Sequence, residues 1–363
     1  MEKPSHSTTF EQAICVTPVD SHTYWAFLDA NWCMGSVPHG GYTASILYRL
    51  GATHFKNTHS SRFRTIPEPT TLQISFLNRT SVGPALLKVQ DMKVGGRIST
   101  IHVTLSQLPD SHLTKVMDFK RDHSPLTRHN SEFEVKLAAY ITASPPEAEG
   151  GPSIAGPWSL YPPPAPGSLA DGSINFPALL EDCADGQWMR HTFSPVLKAT
   201  KQLEIYGPRS QHPATLGSRM KRAVDQWARF CPEGQTTARW SNEAVMFLVD
   251  MFPAASDRMC AMEISRLSSL GLLGDTGMKV RSFEKVFWYP TVTMTIDLKR
   301  RLPPEGVEWL HSRVTTKMVR GSRGDLDVVV LDQRGEIVAL ATQVALVVDA
   351  SRNFSRRSVI EKL

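Results

Sequence analysis

The feature that most constrains this chain is a strand that it carries twice. Residues 290–301 read PTVTMTIDLKRR and residues 69–79 read PTTLQISFLNR. Each opens Pro-Thr, alternates apolar with polar side chains, and places an arginine ten positions after the proline, Arg300 and Arg79. Successive side chains of a strand point to opposite faces. Thr291, Thr293, Thr295 and Asp297 are therefore expected on a polar face, and Val292, Met294, Ile296 and Leu298 on a buried one. The likeness continues downstream. VGGRISTIHVTLSQ (94–107) corresponds to RGSRGDLDVVVLDQ (320–333), each with a Gly-X-Arg unit ahead of a β-rich run. A helical stretch precedes each copy, 40–56 and 240–255. Helix and long antiparallel strands, present twice, predict a duplicated α+β domain.

The length of 363 residues suits two domains of ordinary size. The net charge of +5 is spread along the chain without a block of Lys and Arg. That excludes a nucleic-acid footprint and points to an anionic small ligand. Cys15, Cys33, Cys183, Cys231 and Cys260 are odd in number and scattered, with no CxxC and no Cys/His cluster. Reduced thiols, no structural zinc and an intracellular setting are expected. The N-terminus has no apolar signal region, and no stretch reaches the ~18 apolar residues of a membrane span. The expected compartment is the cytoplasm. The C-terminal Glu-Lys-Leu is only a distant relative of the Ser-Lys-Leu peroxisomal address, which makes peroxisomal delivery the weaker alternative.

In chain order, FEQAICVT (10–17) reads as a first strand and Pro38-His39-Gly40-Gly41 breaks the chain before a helix from Tyr42. Strands are expected at 70–79, 85–94, 98–108 and 113–120, closing a first domain over 1–122. One long helix against a meander of long antiparallel strands is the sequence shape of a hotdog fold. Residues 123–196 read as a linker, with eight prolines between Pro145 and Pro166. Proline this dense cannot join ladders or helix interiors. Trp158, Tyr161 and Trp188 suggest that the linker docks on the protein. A second domain follows over 197–350, with a tail at 351–363. Its helix AVMFLVDMF starts after a Ser241 N-cap and stops at Pro253, and 256–283 has no counterpart in the first copy.

Few residues are positioned for chemistry. Asp250 sits in the most apolar helix, where a carboxylate needs donors or a substrate. The other reading is a helix-end side chain that reaches solvent. Gln343 lies in the apolar strand IVALATQVALVV and needs partners there. Thr291 opens the repeated strand. Carboxylate, hydroxyl and amide together suit orienting and deprotonating a water that attacks a carbonyl. Gly40 and Gly41 let helix-start N–H groups approach an anionic ligand; alternatively they allow tight packing. His39 beside them is an acid/base candidate, though such a histidine more often packs or caps. Arg320 and Arg323 sit at a hairpin where they could meet phosphates, or simply be solvated. No Gly-x-Ser-x-Gly, HExxH or Walker motif is present.

These residues carry a resemblance. WCMGSVPHGGYTASIL, the helix ending FLVD, the PT-x-T-x-T strand and GEIVALATQ resemble the thioesterase-like superfamily, double-hotdog relatives of acyl-CoA thioesterase II. The resemblance covers most of 10–350. It implies two tandem hotdog domains and a hydrolytic water bound by Asp250, Thr291 and Gln343, with no cofactor and no metal. The substrate would be an acyl-CoA or another acyl thioester, and a homodimer is allowed. In the first copy only Thr70 is kept, and Phe119 stands near the place of Gln343. Val249 replaces a serine of better-known members, and the insertion at 256–283 is long. A hotdog hydratase would need a histidine about five residues after its Asp, where this chain has Ala255. The alternative function is a non-hydrolytic hotdog protein that binds or rearranges an acyl or polyketide-like intermediate in a biosynthetic pathway.

Overall fold

The computed structural model describes residues 9–109, 133–154, 156–209, 223–251 and 287–349. In chain order the first half contains α1 (Phe10–Ala13), β1 (Val16–Pro18), β2 (Thr23–Leu28), β3 (Cys33–Met34), β4 (Val37–Pro38), α2 (Gly40–His59), β5 (Glu68–Phe76), β6 (Gly83–Lys93), β7 (Ser99–Gln107) and β8 (Glu134–Ser144). A connecting region holds α3 (Phe176–Glu181), β9 (Ala184–Asp185) and β10 (Trp188–His191). The second half contains β11 (Leu203–Pro208), β12 (Ala223–Phe230), α4 (Asn242–Leu248), β13 (Phe287–Trp288), β14 (Thr291–Leu298), β15 (Trp309–Thr315), β16 (Val319–Arg320), β17 (Arg323–Leu331), β18 (Ile337–Leu346) and β19 (Val348–Asp349).

One antiparallel sheet runs β1-β2-β6-β7-β8-β5-β14-β18-β17-β15-β12-β11-β10-β9. Read outward from the β5–β14 seam, the halves repeat. β5, β8, β7, β6, β2 and β1 answer to β14, β18, β17, β15, β12 and β11. The two repeated strands pair with each other, Ile74 opposite Met294 and Leu72 opposite Ile296. Ile74, Leu72, Met294 and Ile296 are all buried, so the seam continues a single core across both halves. α2 and α4 pack together in that core. Trp32 stacks on Tyr42 of α2 at 5.3 Å and meets Phe247 of α4 edge-on at 5.0 Å. This is the α+β double hotdog that the sequence implies.

The alternation along β14 holds for Met294, Ile296 and Leu298, all buried, but Val292 is only half-buried and the pairing shifts between Thr291 and Thr293. Thr291 pairs with Ala345, whereas Thr293 pairs with Val344. Two residues of β14 thus span one step of β18, a β-bulge that re-aims the side chain before it. Thr291 leaves the polar face and turns inward. β5 carries the equivalent bulge, with Pro69 opposite Ala143 and Thr71 opposite Thr142.

Other expectations need correction. Residues 10–17 start as a helical turn, because Thr9 and Gln12 form a capping box, and only Val16–Pro18 is strand. The expected strand at 113–120, the insertion 256–283 and the tail lie outside the described residues. The first half is closed instead by β8, which runs through residues assigned to the linker and pairs with both β5 and β7. The linker's far end is also structured, since β10 pairs with β11. Trp188 docks it, fully buried and donating to the Ala165 carbonyl at 3.0 Å, whereas Trp158 and Tyr161 are largely exposed. A second anchor is Arg313, which donates to the Pro162 carbonyl and clasps Asp225 with two bonds of 2.7 Å.

His311 lies beside this pair, within 3.4 Å of Asp225 and edge-on to Trp227. Burial pushes its pKa down to about 4, with Asp225 opposing the shift. The unfolded chain binds this proton below about pH 6.5, and the folded chain only near 4. Stability from this group is therefore complete above pH 6.5 and lost as pH falls toward 4, by roughly 3 kcal/mol across the window. Urea melts of wild type and His311→Gln between those limits should show a flatter pH dependence in the variant.

Candidate active site

Asp250 lies in the turn that ends α4, and its side chain is almost buried. The carboxylate crosses to the other half of the molecule. Its Oδ2 accepts the Gly41 N–H at 2.7 Å, and its Oδ1 accepts the Thr291 hydroxyl at 3.1 Å. Gly41 stands in the first turn of α2, where backbone N–H groups have no partner within the helix and the dipole favours an anion. The helix-start anion anticipated from Gly40-Gly41 is thus met by a carboxylate of this same chain. Thr291 reaches Asp250 only because of the bulge in β14.

The glycines are required by that approach. A Cβ on Gly41 would lie 2.8 Å from the Met246 and Phe247 carbonyl oxygens and 2.9 Å from Asp250 Cβ. A Cβ on Gly40 would lie 2.6 Å from Asp250 Oδ2. The tight packing is therefore helix against helix. Gly41→Ala should push α4 off α2, cost about 1–3 kcal/mol as overpacking does, and misplace Asp250. A chemical melt compared with a substrate-binding measurement checks this, and an unchanged melting curve would contradict it.

His39 precedes α2. Its Nε2 donates to the Asp250 main-chain oxygen at 3.0 Å and stands 3.5 Å from Oδ2. Burial lowers its pKa, against the pull of Asp250, so the ring is neutral at pH 7. Its Nδ1 is buried and has no hydrogen-bond partner among the described residues. Gln343 is on β18 with its Nε2 donating to the Val249 carbonyl at 2.8 Å. It fixes the turn that presents Asp250. Arg320 and Arg323 pair across the β16–β17 hairpin and are exposed. Gly324, next to Arg323, pairs with Ala345, which pairs with Thr291. Two strand spacings, about 10 Å, separate the hairpin from Thr291.

Among the described residues, the first half holds no equivalent cluster. Register places Pro69 where Thr291 stands and Ile141 where Gln343 stands, correcting the assignments of Thr70 and Phe119. Phe119 itself lies outside the described residues. A Cβ on Gly51 of α2 would meet Pro69 and Ile141 at 2.9 and 3.4 Å, so this position is filled by apolar contact. Missing from the sequence reading was the joining of Gly41 to Asp250 across the two halves. A signal was present: two glycines at one helix start facing a second helix that is apolar all round.

Residues 28–119 match the sequence profile of the acyl-CoA thioesterase N-terminal domain, and residues 180–347 that of the C-terminal domain. The chain belongs to the acyl-CoA thioesterase family of double-hotdog proteins. A thioesterase-like protein of Talaromyces wortmannii, TwmA, is 30% identical over 97% of this chain and 95% of its own length. Among solved structures, a hotdog-fold protein of Alicyclobacillus acidocaldarius superposes with a TM-score of 0.59 at 15% identity, covering 93% of this chain and 97% of that one. The acyl-CoA thioesterase II TesB2 of Mycobacterium marinum gives 0.50 at 16% identity, covering 94% and 98%. At such identities the structural likeness speaks for the fold. Among the described residues of this thioesterase-family chain, no helix is long and apolar enough to cross a membrane.

Proposed function

We propose that this chain hydrolyses an acyl thioester, acyl-CoA being the leading candidate, with a water that Asp250 deprotonates. The observation that carries this reading is the nearly buried Asp250 carboxylate held between the Thr291 hydroxyl and the Gly41 N–H. An ionised carboxylate offers about four acceptor directions, so these two bonds leave room for a water. Thr291 donates to Asp250, and its oxygen remains an acceptor for a water hydrogen. The water gives one proton to Asp250 while its oxygen bonds to the thioester carbonyl carbon. The carbonyl electrons move onto oxygen, where a backbone N–H at the α2 start other than that of Gly41, which Asp250 occupies, stabilises them. Collapse breaks the C–S bond, and the departing sulfur takes the proton from Asp250. Gln343 positions the Asp250 turn. His39, Gly40 and Gly41 shape the cleft around the thioester, and Arg320 and Arg323 meet the phosphates of CoA.

One observation favours a second reading, in which an acyl or polyketide-like intermediate is bound or rearranged without hydrolysis. The Gln343 amide nitrogen is turned to the Val249 carbonyl and stands 3.5 Å from Met294 Sδ, so its donors are tied to the protein rather than offered to a water. Thiol release from acyl-CoA esters of short to long chain separates the two. Turnover on any chain class supports hydrolysis. Folded protein that releases no thiol from any ester sinks it and turns attention to a bound metabolite.

A further inference from the structure

We propose that His22, His54, His59 and Asp91 form a binding site for one divalent transition-metal ion of the zinc class. The four residues come from three places: the turn between β1 and β2, the last turns of α2, and β6. All three imidazoles aim Nε2 at one carboxylate. His54 Nε2 is 2.9 Å from Asp91 Oδ1, while His59 and His22 Nε2 are 2.7 and 3.3 Å from Oδ2. Ligand atoms around a tetrahedral ion with bonds of about 2.0–2.1 Å lie about 3.3 Å apart; those of His22, His54 and Asp91 already lie within 4.8 Å of one another, and His59 joins them through Asp91 Oδ2.

A ligating imidazole needs its other nitrogen held by an acceptor, which fixes the tautomer and the ring. Two of the rings have that partner. His22 Nδ1 is 2.8 Å from the Ser21 hydroxyl, and His54 Nδ1 is 3.1 Å from the Tyr24 hydroxyl. Tyr24 can donate its own proton to the Ser21 carbonyl at 3.3 Å, which leaves its oxygen to accept from His54. In that tautomer His54 Nε2 turns a lone pair toward Asp91 Oδ1 at 2.9 Å, a contact that a cation between them would satisfy. Three imidazoles and one carboxylate select zinc-like ions over magnesium or calcium, which prefer all-oxygen sites.

The cluster is graded from core to solvent. His54 is fully buried, His59 and Asp91 are 14% and 23% exposed, and His22 is 42% exposed. An ion can enter from the His22 side and be held by buried groups. His54 lies thirteen residues along α2 from Gly41, about 20 Å at 1.5 Å per residue, so this is a separate site from the Asp250 cleft. The family resemblance implies no metal, and the chain carries neither a Cys/His cluster nor an HExxH motif. These histidines follow no such spacing and meet only through the fold.

The test uses the full chain stripped with a chelator. Zn2+ is titrated calorimetrically, and Co2+ by its visible d–d absorption, which reports coordination by the protein. One equivalent should bind, with four- or five-coordinate Co2+ bands and a melting temperature raised by the metal. His22→Ala and His59→Ala sit at the exposed rim and should fold, and each should weaken binding at least ~10-fold, the lower end for disturbing a metal's surroundings. His102→Ala, on β7 and outside the cluster, should leave binding unchanged. No stoichiometric binding by wild type would overturn the proposal. So would affinity that is unchanged in folded His22→Ala and His59→Ala, or equally weakened by His102→Ala.

Discussion

Asp250→Asn is expected to lower thiol release by about 10²–10⁴-fold, the range for a lost general base. The fold should survive the change. The amide oxygen can keep the Gly41 N–H, and the amide nitrogen can donate to Thr291, whose hydroxyl turns to accept it. What the amide cannot do is take a proton from water. The diagnostic result is a wild-type melting curve together with a collapse in kcat and little change in KM. Loss of kcat alone ties the effect to the reacting water, whereas a rise in KM alone would move Asp250 into a binding role. Wild-type rates in the variant would remove Asp250 from the chemistry.

Arg313→Ala should cost about 3–5 kcal/mol, a large part of the ~5–15 kcal/mol that holds a protein folded. Arg313 is buried and spends three nitrogens on Asp225 and the Pro162 carbonyl. Truncation leaves Asp225 as a buried charge without its partner and releases the proline-rich segment from β15. The penalty belongs to the stranded charge more than to the bond itself. Arg313→Met combined with Asp225→Leu should therefore recover most of the loss, because both charges are removed together. A denaturation series on the two singles and the double measures this. A double variant as unstable as the singles combined would show that the segment's docking through Pro162, and not the charge, is what matters.

Much of this molecule was legible before any coordinates. The repeated Pro-Thr strands gave the duplication, because period-2 burial depends on local pattern alone, and Met294, Ile296 and Leu298 obey it. The Ser241 cap was readable for the same reason: its side chain accepts from Ala244 N–H within one turn. Thr291 was found for its place and not for its direction. A one-residue bulge leaves no trace in alternation, since it is defined by the partner strand. β8 was hidden because register, not composition, makes residues 134–144 a strand between β5 and β7. The meeting of Gly41 with Asp250 spans 209 residues of sequence and depends on how the two halves close. His22, His54 and His59 were passed over for that reason too.

The β5–β14 seam has a genetic consequence. In an assembly of two identical hotdog subunits, any substitution near one cleft is copied at once into the other. Here each cleft has its own codons. Gly51, Pro69 and Ile141 can drift under selection for packing alone, while under the proposed function Asp250 and Thr291 answer to chemistry. On that reading one half of the molecule is free of the reaction, and new specificity can be acquired on one side without first being tolerated on both.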